Sequence, residues 1–204
     1  MMLSLRGGYE YVDLGLPSGL KWAKCNIGAE KETDYGYYFM WGSTKANTPD
    51  ECTWANAPFN GGNTSYNADA FNQVKDTAWP NGILAKKYDA AAQIMGGDWR
   101  MPTQDECKEL IDNTEYKWFD DFNSSGVSGG KFTSKINGNS IFIPAAGIYD
   151  DGSVTDVGEE GSVRSSSLIT TDYSNALSLY ISWEECFMGG NLRCYGLPVR
   201  GVFK

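Results

Sequence analysis

The sequence predicts a mixed α+β domain: two helices packed on antiparallel strands, joined by long irregular loops. Three observations carry that expectation. Glycine (24 residues) and aromatic side chains (14%) are both abundant in a chain of 204. That balance suits short strands and turns better than a helical bundle. Thr103 and Glu106 frame a capping box ahead of an apolar stripe. Asn137-Gly138 stands between two alternating runs, the strongest short hairpin signal. The length suits one domain, and nothing in 1–204 reads as a linker that would force two.

Taken in order, short strands are expected over 9–14, 21–25 and 35–41, with turns at Pro17-Ser18-Gly19 and Asn26-Ile27-Gly28. Residues 43–82 are polar and aperiodic, and read as an irregular insertion. A short helix is expected over 88–95, stopped by Gly96-Gly97. A second runs from the Thr103 cap to near Asn113, with Cys107, Leu110 and Ile111 on one face. The runs 131–136 and 140–144 form the hairpin, and Asp150-Asp151-Gly152 marks a further turn. In the last forty residues Leu177, Leu179, Ile181 and Trp183 share one parity and are predicted to face inward. Ser178, Tyr180, Ser182 and Glu184 then face outward. A turn is predicted at Gly189-Gly190, ahead of a strand over 197–203.

Charge narrows the function. The net charge is -9, and the cations are scattered, with no run longer than Lys86-Lys87. Nucleic acid and anionic membrane surfaces need clustered Lys and Arg, so neither is an expected partner. There is no histidine. That removes Ser-His-Asp and Cys-His catalysis and His-ligated metal, and leaves an enzyme only carboxylates, Tyr, Lys or Cys. The five cysteines form no CxxC, so zinc ribbons and thioredoxin-like chemistry have no support. They read as isolated small apolar residues, although Cys186 and Cys194 are spaced to close a local loop. No run approaches a membrane span, and Met1 to Gly8 shows no basic stretch followed by an apolar one, so no signal peptide is expected. No cofactor and no metal are expected.

Three clusters invite chemistry. Asp150, Asp151, Asp156, Glu159 and Glu160 crowd one segment. Calcium takes several oxygen ligands, but the spacing is not that of an EF-hand loop, and a solvated acidic turn is the simpler reading. Asp120 and Asp121 are adjacent, so on a strand they would face opposite sides, and no motif makes them a glycosidase pair. Trp99-Arg100 reads as a packed indole beside the following helix, with the guanidinium on a buried acid or carbonyl. The fourth signal is aromatic. Tyr173, Tyr180, Phe187 and Tyr195 sit among Ser, Gly and Asn in 165–196, the composition of a binding surface.

Several phrases carry a family resemblance. They are Tyr11-Val12-Asp13-Leu14-Gly15-Leu16-Pro17-Ser18-Gly19-Leu20-Lys21-Trp22-Ala23, Gly96-Gly97-Asp98-Trp99-Arg100-Met101-Pro102-Thr103, Ile143-Pro144-Ala145-Ala146-Gly147, Ser165-Ser166-Ser167-Leu168 and Gly196-Leu197-Pro198-Val199-Arg200. Together they resemble the "major paralogous domain" proteins of gut anaerobes, over nearly the whole chain except 43–82. The resemblance implies a C-type-lectin-like fold. Some members are variable proteins of diversity-generating retroelements, in which mutagenic reverse transcription rewrites codons near the 3′ end of the gene. On that resemblance 165–204 is a variable region. Ala176, Leu179, Ile181, Met188, Arg193, Cys194, Gly196, Val199, Arg200 and Val202 are its constant frame. Ile169, Thr171, Tyr173, Ser178, Tyr180, Ser182, Phe187, Gly189, Gly190, Asn191, Leu192 and Tyr195 are its ligand-binding positions. Arg164 departs from the pattern, standing where an aromatic usually precedes the serines. The Glu-Pro-Asn triplet of calcium-dependent lectins is missing.

The expectation is a non-enzymatic protein that binds a protein or surface glycan, at a cell surface or on a phage virion. A fixed carbohydrate-binding adhesin of the same fold is the alternative, marked by calcium-dependent glycan binding at 150–160. A carboxylate-driven hydrolase would be marked by turnover lost with a single acid.

Overall fold

The computed structural model describes residues 4–204. Met1 to Leu3, the start of the stretch read for a leader, lie outside the described residues. The chain opens with β1 (Leu5–Arg6), β2 (Tyr9–Asp13), β3 (Lys21–Ala23) and β4 (Tyr38–Phe39). Four short helices follow: α1 (Ala68–Asn72), α2 (Lys75–Ala78), α3 (Ala90–Ile94) and α4 (Gln104–Asn113). Then come β5 (Thr114–Phe119), β6 (Gly129–Ser134), β7 (Ser140–Pro144), β8 (Ala146–Asp150) and β9 (Ser153–Val157). The chain finishes with β10 (Glu160–Leu168), β11 (Asn175–Ser182), β12 (Cys186–Leu192), β13 (Leu197–Pro198) and β14 (Val202–Phe203). Pairing is antiparallel throughout, in the sheets β1-β2-β3-β14, β4-β13, β5-β6-β7, β8-β9 and β10-β11-β12.

This architecture corrects the expected fold class. The molecule is mostly β, with 35% of residues in strands against 18% in helix, and its sheets curl as a half-barrel. It is not the two-helix, C-type-lectin-like α+β arrangement. Only α4 matches an expected helix over its length, because Thr103 accepts from the Glu106 amide and Glu106 reaches back to the Thr103 amide. The helix expected over 88–95 shrinks to five residues. Asp89, buried, caps it at the Ala92 amide while also accepting from Met101, so the helix starts after Asp89. Strands β9 and β10 occupy ground read as an acidic turn and a serine run, while the turn expected at Asp150-Asp151-Gly152 joins β8 to β9. Their alternating positions are polar on both parities, which hid the period.

Three further expectations change. Gly189-Gly190 lies inside β12, not in a turn; the chain reverses at Trp183–Glu185 instead. The strand over 197–203 is broken into β13 and β14. Cys186 and Cys194 do not bridge, and all five cysteines are free.

The insertion 43–82 is packed rather than loose. Asn60 is fully buried, and its amide nitrogen lies 2.9, 2.8 and 2.9 Å from the carbonyls of Trp54, Asn63 and Ser65. Its side-chain oxygen accepts from the Asn67 amide. One side chain thus satisfies a loop that has no ladder of its own. The aromatics it organises, Phe59 and Phe71, join Trp41, Trp79 and Trp99 in one core. A second core lies between α4 and the strands, around Trp22, Phe132, Val163, Leu179 and Ile181.

Candidate ligand-binding surface

The β11-β12 hairpin pairs Tyr180 with Phe187, Leu179 with Met188 and Ser178 with Gly189. On the inner face Val163, Leu179 and Ile181 are fully buried against α4 and β6. The expected parity therefore holds for Leu179 and Ile181. It fails at Trp183, which is 70% exposed because the strand ends at Ser182 and the turn swings the indole outward. Sequence reasoning placed Trp183 in the core. Its position beside Glu184-Glu185 was the available sign of a turn.

The outer face is open at one end and closed at the other. At the hairpin end the Tyr180 and Phe187 rings lie 4.8 Å apart, with Phe187 41% exposed. A Cβ built at Gly189 would sit 3.4 Å from Phe187 and 3.6 Å from Tyr180, so this glycine underlies the pair. Partial burial, then the Glu160 carboxylate, pushes the Tyr180 phenol up to about 12. Ser178 and Ser182 also point outward but are buried. Ser178 donates to the Asn191 side chain, and Ser182 exchanges bonds with Glu185. Both of these expected ligand-binding positions are thus covered, and their hydroxyls serve the hairpin.

The closed end is organised by two arginines. Arg164 is fully buried on β10, opposite Ser178. Its Nη2 donates to the carbonyls of Leu192 (3.2 Å) and Tyr195 (2.7 Å), and its Nη1 reaches that of Asn191 at 3.5 Å. Arg193, also fully buried, donates from Nε to the Tyr173 carbonyl at 2.7 Å and from Nη1 to the Pro58 carbonyl at 3.1 Å. Its guanidinium lies 3.9 Å from the Phe71 ring centre, 5.5 Å from that of Trp54 and 5.6 Å from that of Tyr66. Burial draws Arg164 down to about 9 and Arg193 to about 10, so both remain cations at neutral pH. The insertion 43–82 thus supplies the cage that fixes the C-terminal loop.

The remaining positions lie around this frame. Tyr195 and Leu192 are half-buried beside Trp54 and Tyr149. Thr171 is exposed. Tyr173 packs 5.7 Å from Phe71 and lines a cleft of about 200 Å³ with Trp79 and Lys75. Ile169 covers Gly190, where a Cβ would fall 2.6 Å from its tip. The set is therefore not one patch. Tyr180, Phe187 and Gly189 form the hairpin end, and Asn191, Leu192 and Tyr195 form a loop end. Trp54 and Tyr149 join the loop end without having been singled out in the sequence.

The other candidates are structural. Asp120 accepts from the Trp118 indole and Asp121 from the Gly126 amide. Trp99 is buried, and Arg100 binds Glu106 of α4 at 2.7 and 2.5 Å. Asp150 to Glu160 lie on and beside the β8-β9 hairpin. Among the described residues no group of three or more His, Cys, Asp or Glu could hold a metal ion. Nor, among them, is any helix long and apolar enough to cross a membrane. Comparison with family models, curated proteins and solved structures found no match.

Proposed function

We propose that this chain is a non-enzymatic ligand-binding protein whose C-terminal segment displays diversified side chains, the variable protein of a diversity-generating retroelement. One observation carries the reading. Arg164 and Arg193 hold the segment by the carbonyl oxygens of Tyr173, Asn191, Leu192 and Tyr195. All four are proposed binding positions, and a carbonyl persists whatever side chain follows it. The frame can thus keep its backbone while the displayed side chains change. The ligand is a protein or a surface glycan, met at a cell surface or on a virion.

The test is a combinatorial library at Thr171, Tyr180, Phe187, Gly189, Leu192 and Tyr195, sorted for protease-resistant, folded protein. Most members are expected to fold, against few in a matched library at Leu179, Ile181, Arg164 and Arg193. Equal attrition in the two libraries would overturn the proposal.

A further inference from the structure

The C-terminal third has an unusual charge distribution. From Ile136 to Lys204 the sequence holds eight acidic residues and four cations. Three of those cations, Arg164, Arg193 and Arg200, are fully buried, which leaves Lys204 as the only exposed one. The charged side chains of the hairpin end itself are acidic; the elements packed against it carry the exposed Lys108 on α4 and Lys117 on β5. Glu160 pairs across from Ser182, next to Tyr180, and Glu184 and Glu185 form the exposed turn with Trp183.

We propose that the hairpin end takes an extended, lysine- or arginine-bearing segment of a partner protein; this rests on the binding role given above. Three features select that occupant. The Tyr180 and Phe187 rings offer faces to a cation, and the Glu160 and Glu185 carboxylates offer charge-assisted hydrogen bonds. Like charge at Glu160, Glu184 and Glu185 disfavours an acidic partner. The third feature favours a polypeptide over a small cation. β12 is the edge of its sheet, paired only with β11, and has no Lys or Pro of the kind that guards exposed edges. The outward N–H and C=O groups of Cys186–Gly190 are a template for one more strand. Phe187 is 41% exposed and Tyr180 half-buried beside it, so the aromatic pair is open to a chain lying across it.

A library of random dodecapeptides, panned on the folded protein and counter-selected on the Tyr180→Ala/Phe187→Ala variant, tests this. The expected result is enrichment of Lys- or Arg-bearing peptides with alternating apolar residues. Titration of one such peptide should weaken about threefold for Phe187→Ala, the scale of one exposed cation–π contact. It should also weaken with Glu160→Gln/Glu185→Gln, which keeps both side-chain shapes, and with added salt. Enriched peptides that need Tyr180 and Phe187 but carry no excess of Lys or Arg would overturn the cationic partner and leave the binding surface standing. A panning in which no peptide is enriched on the folded protein over the variant would overturn both.

Discussion

Arg164 and Arg193 are fully buried, and among the described residues neither pairs with a carboxylate. A buried guanidinium needs its donors satisfied; here main-chain carbonyls take Nη1 and Nη2 of Arg164 and Nε and Nη1 of Arg193, while Arg164 Nε and Arg193 Nη2 have no partner. Arg164→Met should leave the Leu192 and Tyr195 carbonyls unpaired and cost about 3 kcal/mol, read by urea denaturation. Arg164→Lys should recover only part, since an ammonium lacks the planar fork. A loss below about 0.5 kcal/mol for Arg164→Met, the range of ordinary surface changes, would remove its role as a staple. The thiols give a pH signature. Burial pushes Cys52 up to about 12 and Cys194 to about 11, from 9.0. Above 9 the unfolded chain releases these two protons while the folded chain keeps them, so the thiols' contribution to stability is full below pH 9 and is lost as pH rises to about 12. The stability difference between the parent and Cys52→Ala/Cys194→Ala, followed by denaturation across pH 8–11, should therefore shrink as pH rises above 9. At this scale the sequence was half legible. Leu179 and Ile181 announced themselves by parity. Arg164 did not, because its acceptors are backbone atoms that leave no mark in the side-chain sequence.

The glycines separate tolerant elements from rigid ones. Gly190 lies in β12 under the Ile169 tip, a flexible neighbour that can turn away. Gly147, in β8, has φ +63, and a Cβ there would run into the Thr155 carbonyl and the Val157 amide. Gly190→Ala is expected to cost under about 1 kcal/mol, and Gly147→Ala more than about 3, from strain and backbone collision together. Thermal melts of the two variants check this; equal losses would contradict the division. The same contrast explains where element reading stopped. The capping box and the Asn-Gly hairpin are local signals and held for α4, β6 and β7. The glycine pair suggested a turn because glycine usually serves φ > 0. In β12 it serves close packing instead, which depends on a residue twenty-one positions earlier.

Across the whole molecule, the mostly β architecture was out of reach of local reasoning. Its sheets join segments far apart in the chain, such as β3 with β14 and β4 with β13, and its longest loop is held by one buried asparagine and an aromatic cluster. The expected two-helix α+β fold gives way to a mostly β one; of the twelve expected binding positions Ser178 and Ser182 are buried, and the other ten are half-buried or exposed. On the proposed reading, that contrast links fold to function. The insertion cages Arg193, Arg193 and Arg164 hold the loop backbone, and the loop and hairpin present Tyr195, Tyr180 and Phe187.

The most direct measurement is deep sequencing of the 3′ end of this gene across a population that carries it. Differences are expected to cluster at the codons for Thr171, Tyr180, Phe187, Gly189, Leu192 and Tyr195, and to spare Arg164, Leu179, Ile181, Arg193 and Arg200. A segment that is invariant, or that varies evenly across frame and displayed positions alike, would contradict a diversified binding surface.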